Sequence, residues 1–193
     1  TEETPKDGPM ADRSRLLVGM AVAYGSGEPD VVYFPAEGFL TGDYLKEKLT
    51  ELQKQIPLFC VMDGKEFLKD MPDADEAHLF DAGIAAYLLN PLKSQYSYDD
   101  IVKEYVHRYV PAVEEIFGGS KIPAAGKMTP EQQESYAGHQ AYAVFAAQEN
   151  MEKLLKEQGM WDLYRNVEIP LVFTLRQMEA DAVSYTHLRA HET

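Results

Sequence analysis

Phe80-Asp-Ala-Gly-Ile-Ala-Ala-Tyr-Leu-Leu-Asn-Pro91 is the stretch on which the fold turns. Leu79 and Phe80 open it as a buried element, and Asp81 stands where a carboxylate caps the next helix. Ala82 to Leu89 continues as a helix. Asn90-Pro91 ends it, because proline cannot continue a helix.

Upstream, Leu16 to Tyr24 (LLVGMAVAY) is a mostly apolar run suited to a buried strand. Gly25-Ser-Gly-Glu-Pro29 is turn chemistry, and Val31 to Phe34 is a second strand, so the two form a hairpin. Thr41 caps a helix expected to reach Gln55, with Leu45, Leu49 and Leu52 as its apolar stripe. Leu58 to Met62 is a short strand, and Asp63 to Met71 holds one or two helical turns. Residues 1–14 read as a loop broken by Pro5, Gly8 and Pro9.

Downstream, Ser97 caps a helix expected to run to Tyr109, with Asp99 and Asp100 in its first turn. A loop spans Gly118 to Gly126. Thr129-Pro130-Glu131-Gln132 is a helix start with cap, proline and capping amide, and Gly159 ends that helix. A last helix runs from Trp161 to about Ala182, with a kink expected at Pro170. Strands come first and helices follow, which is the order of an α/β sheet covered by helices.

Hydrophobic residues make up 45% of the 193, enough for a core, and no apolar run approaches the roughly 20 residues that cross a bilayer. Residues 1–14 are too polar for a signal peptide. The single cysteine, Cys60, excludes an internal disulfide framework and a cysteine-based zinc site, and a cytoplasmic location is expected. The net charge of −14, with no basic cluster, excludes an autonomous nucleic-acid binder of the usual basic kind. Thr1 is not a start methionine, so an upstream piece is expected.

Three stretches resemble bacterial DNA polymerase I, the family A polymerases. Phe80 to Pro91 is similar to the segment that opens Phe-Asp-Thr and closes Tyr-Leu-Leu-Asn/Asp-Pro. Leu163-Tyr164, Glu168-Ile-Pro-Leu171 and Met178-Glu179 resemble the helix that leaves the 3′–5′ exonuclease domain and opens the polymerase domain. Leu17-Val-Gly-Met-Ala-Val22 resembles the second strand of that domain's sheet. The resemblance implies an α/β, ribonuclease-H-like mixed sheet flanked by helices, lacking its first strand. It divides the chain into an exonuclease-like domain over 1–158 and a junction helix over 159–183.

Active relatives hold two divalent ions with four carboxylates and orient water with a tyrosine. Two such cations clamp the attacking and leaving oxygens and require anionic ligands. The opening Asp-x-Glu motif has no counterpart in Thr1-Glu2-Glu3-Thr4. Against Asn-x-Lys-Tyr-Asp stands Asp63-Gly-Lys-Glu-Phe67, with Phe67 where the carboxylate belongs. Against Tyr-x-x-x-Asp stands Tyr136-Ala-Gly-His-Gln140, with the tyrosine kept and Gln140 in place of the acid. The resemblance therefore implies a scaffold with no intact catalytic, metal or cofactor site. The parent polymerase is a nucleotidyltransferase needing Mg²⁺. DNA would be reached through it, and the fragment would pack against the missing polymerase domain.

Two other readings stay open. One is an active proofreading exonuclease rescued by Asp63, Glu66 or upstream acids. The other is a stand-alone acidic interaction module. Against the first, Asp63 is expected to cap its helix and Glu66 to be solvated. His139 has no second histidine at ligand spacing, and Tyr136 is expected to pack. Asp70, Asp73, Asp75 and Glu76 lack the EF-hand spacing and read as a solvated loop. Gly118-Gly-Ser-Lys121 lacks the ending of a phosphate loop. Trp161, Tyr164, Val167 and Leu171 are expected as one core stripe. Residues 184–193 (SYTHLRAHET) resemble a sequencing-library adapter translated in frame. They are set aside as non-native, including the spaced pair His187 and His191.

Overall fold

The structure is a computed structural model that describes residues 17–93 and 95–191, with side chains through Asp181. The opening loop, Leu16 and the acids of Thr1-Glu2-Glu3-Thr4 lie outside the described residues. For the set-aside tail, only helical backbone to His191 is described.

The hairpin forms as expected. β1 (Gly19–Tyr24) pairs antiparallel with β2 (Asp30–Pro35), with Gly19 opposite Pro35 and Tyr24 opposite Asp30. The turn between them needs left-handed backbone at Gly25 (φ 118°) and Gly27 (φ 81°), which glycine adopts without steric cost. β3 (Phe59–Val61) and β4 (Leu79–Asp81) form a separate parallel pair, with Cys60 opposite Phe80. The class is mixed α/β, but the described strands form two small sheets rather than one. One long helix carries both: α6 (Pro130–Glu157) packs on β1, β2 and β3.

Helix starts follow the local caps. Thr41 Oγ1 accepts the Tyr44 N–H and begins α1 (Gly42–Gln53). Asp63 begins α2 (Gly64–Asp70) and Asp81 begins α3 (Ala82–Leu89). Thr129 and Gln132 close a reciprocal capping box at the head of α6, which Gly159, in the left-handed region, follows. Within α1 the expected stripe is narrower: Leu45 is buried and Leu52 is exposed.

Three helical stretches depart from expectation. The helix after Ser97 is α4 (Tyr98–Ile101), continued by a π turn over Val102–Val106 and ended at His107 in left-handed backbone (φ 57°). It stops short of Tyr109 because the His107 N–H closes onto the Val102 carbonyl. A short helix, α5 (Val113–Phe117), precedes the Gly118 loop, with the Glu115 carboxylate accepting the Ala112 N–H.

The last helix is α7 (Trp161–Leu163), a π turn over Tyr164–Glu168, and α8 (Ile169–His191). Pro170 has no N–H to give to the preceding turn, and the interruption takes the form of that π turn. The wider turn moves the apolar phase. Tyr164, Ile169 and Val172 are buried, whereas Val167 and Leu171, expected in the core, face solvent.

The main core gathers Phe80, Ile101, Met151, Leu155, Tyr164 and Ile169. Fully buried alanines, Ala82, Ala85 and Ala86 on α3 and Ala147 on α6, let those helices approach closely. Gly83 marks another tight approach. A Cβ there would lie 2.7 Å from the Met62 carbonyl oxygen, a backbone atom that cannot turn aside. Gly83→Ala is expected to lower stability by about 1–3 kcal/mol, read as a lower urea midpoint. An unchanged midpoint would mean that the β3–α2 connection yields freely.

Candidate functional site

The residues singled out by sequence fall into two groups on different elements. Asp63, Glu66 and Phe67 lie at the head of α2, which packs on β4 and α8. Tyr136, His139 and Gln140 lie on α6, which packs on β1–β3, α3, α4 and α5. The two helices share no extended packing contact.

At α2, Asp63 Oδ1 accepts the Glu66 N–H at 3.0 Å, as a helix cap does. Glu66 is exposed and ion-pairs with Lys69. Phe67 is half-buried. Its ring lies 6.0 Å from that of Phe59, and both line a cavity of about 250 Å³ with Gln53, Lys54, His78 and Leu79. Asp70, expected in solvent, is held by Lys46 Nζ at 2.6 Å.

On α6, Tyr136 packs edge-on against Tyr98 (5.8 Å) and Phe117 (5.5 Å). Burial raises its hydroxyl pKa, and a side-chain hydrogen bond with Gln140 offsets part of that rise. His139 stacks on the Tyr98 ring at 6.3 Å, and its Nδ1 lies 3.3 Å from Ser135 Oγ.

One carboxylate joins more elements than the sequence indicates. Asp81, 3% exposed, accepts the Ile84 N–H at 3.0 Å, the expected cap of α3. Its other oxygen accepts the Gly64 N–H at 2.6 Å, so it also closes the head of α2. Burial pushes this carboxyl up to about 6, partly offset by the N–H bonds from Ile84 and Gly64, while neighbouring Asp63 pushes it further up. Nothing in the spacing of 63–81 marks that second bond. Cys60, half-buried beneath α6, has a thiol that burial pushes up to about 12, so it holds its proton near neutrality.

These groups do not fit a pair of divalent ions. Phe67 and Gln140 carry no charge. Asp63 is spent as a cap and Glu66 on Lys69. Among the described residues, no three His, Cys, Asp or Glu side chains converge where a metal could be held. Among the described residues, no helix is long and apolar enough to cross a membrane.

No protein-family model matches the chain. Over 107 residues, 54% of its length, the chain is 27% identical to DNA polymerase I of Bacillus subtilis (strain 168). The matched stretch spans 12% of that relative, so the similarity concerns a small part of a much longer protein. The chain is thus similar to DNA polymerase I, loosely and over about half its length.

Proposed function

We propose that residues 1–158 are the 3′–5′ exonuclease-like domain of a family A DNA polymerase, of ribonuclease-H-like descent and without its first strand. Residues 159–183 are the helix that opens the polymerase domain, and residues 184–193 are a non-native tail. The domain acts as a scaffold: it supports the polymerase domain during replication and repair in the cytoplasm and does not itself cut DNA. The parent polymerase supplies the Mg²⁺-dependent nucleotidyl transfer.

The observation that carries this reading is the chemistry at the two positions matching the family's metal-binding acids. Phe67 and Gln140 stand there, and the nearby acids Asp63 and Glu66 are engaged with Glu66 N–H and Lys69. The similarity to DNA polymerase I supports it. So does the net charge of −14, which leaves the holding of DNA to a basic neighbour.

The test is incubation of the purified, folded chain with a 3′-labelled single-stranded oligonucleotide and Mg²⁺ or Mn²⁺. No loss of label above the metal-free control is expected. Metal-dependent release of 3′ nucleotides, abolished by Asp63→Ala, would overturn the reading and establish a rearranged nuclease site.

A further inference from the structure

β4 pairs with β3 along one side, and an edge strand leaves backbone donors and acceptors open along the other. No further strand among the described residues takes them. Two consecutive side chains from the π turn, more than eighty residues away in sequence, do so instead. The Tyr164 hydroxyl accepts the Asp81 N–H at 2.7 Å and donates to the Asp81 carbonyl at 3.2 Å. Arg165 reaches along the same strand and into the 3₁₀ turn Glu76–His78 before it. Its Nη1 donates to the Leu79 carbonyl at 2.9 Å, and its Nη2 donates to the carbonyls of Ala77 at 3.0 Å and Glu76 at 3.3 Å.

These bonds sit inside the π turn that shifts the helix phase. With the turn in place, α8 buries Ile169 and Val172 against the domain, while Val167 of the π turn and Leu171, Leu175 and Met178 of α8 are exposed. Those four recur at spacings of four, four and three residues, which is one face of a helix. The same segment therefore carries two apolar faces, and the setting of one turn decides which of them is buried.

We propose that Tyr164 and Arg165 form a latch that locks the rotational setting of α8 on this domain, closing the open edge of β4 and holding the Leu171 face outward. Tyr164 keys the turn to one residue of β4, and Arg165 staples it to the carbonyls of Glu76, Ala77 and Leu79, so the helix can neither slide nor roll without breaking several bonds to the backbone at once. The inference is independent of the nuclease reading, since it concerns how α8 leaves the domain and not what the domain cuts.

The test is thiol labelling of the full chain carrying either Leu171→Cys or Val172→Cys, adjacent residues of which the first is exposed and the second buried. The native thiol of Cys60, which burial pushes up to about 12, adds only a slow background. With the latch intact, Leu171→Cys should label at least about tenfold faster than Val172→Cys, because the second thiol is reached only through local opening. Adding Arg165→Ala should bring the two rates within about threefold. Adding Arg108→Ala, which removes a surface arginine paired with Glu28, should leave the contrast intact. Tyr164→Phe, which keeps the ring and loses only the hydroxyl, provides the same test if Arg165→Ala fails to fold by circular dichroism. A labelling contrast that survives in the folded variants overturns the latch, as does an equal loss of contrast with Arg108→Ala.

Discussion

Phe80→Ala should remove roughly 3–5 kcal/mol of stability, a large part of the 5–15 kcal/mol that a domain of this kind possesses. Phe80 is 1% exposed and central in β4, the short strand on which α3, the π turn and β3 converge. Its ring lies 5.4 Å from that of Tyr164 at a tilt of 47°, so the variant loses an aromatic pair as well as buried area. The cavity left behind cannot collapse easily, because β4 is tied by backbone bonds to β3 on one side and by the side chains of Tyr164 and Arg165 on the other. Urea denaturation followed by the emission of Trp161, the chain's one tryptophan, measures the loss. Phe39→Ala is the reference, since Phe39 is fully exposed and should change stability by no more than about 0.5 kcal/mol. Equal midpoints for the two variants would mean that β4 is not at the centre of the core.

The second large effect is a stability that rises as pH falls from 7 toward 5. Asp81 has its carboxyl raised from 3.8 to about 6, chiefly by burial, so the folded chain binds that proton more tightly than the unfolded chain does. Its contribution is fully present below about pH 3.8 and is lost as pH rises through about 6. The shift corresponds to at most about 3 kcal/mol across that window, from 1.36 kcal/mol per pH unit. Exposed carboxylates act in the opposite sense. Glu115, bonded by the Tyr109 hydroxyl, and Glu179, bonded by Lys65, are held below the usual 4.5, so what they contribute is lost as pH falls below that value. The urea midpoint should therefore climb between pH 7 and 5 and fall again under acid. Asp81→Asn should abolish most of the climb and leave the acid limb in place. If wild type and Asp81→Asn share the same slope between pH 7 and 5, Asp81 is not the group responsible.

Helix starts were legible in the sequence because a cap is a local device. Thr41, Asp63, Asp81, Ser97 and Thr129 each accept from a backbone N–H three residues on, and neighbouring sequence contains both partners. The hairpin was legible for the same reason, its turn requiring Gly25 and Gly27. The chemical identity of the candidate site was also in the sequence, since Phe67 and Gln140 are neutral wherever the fold puts them.

Tertiary structure alone decided the rest. The π turns at Val102–Val106 and Tyr164–Glu168 replace ordinary α turns because packing, not propensity, selects which side chains are buried. That is why Val167 and Leu171 face water while Ile169 and Val172 do not. The second bond of Asp81, to Gly64, and the closing of β4 by Tyr164 and Arg165 join residues 17 to 89 positions apart. No local pattern encodes such pairs, because only the folded chain brings the open edge of one strand within reach of a side chain so distant in sequence.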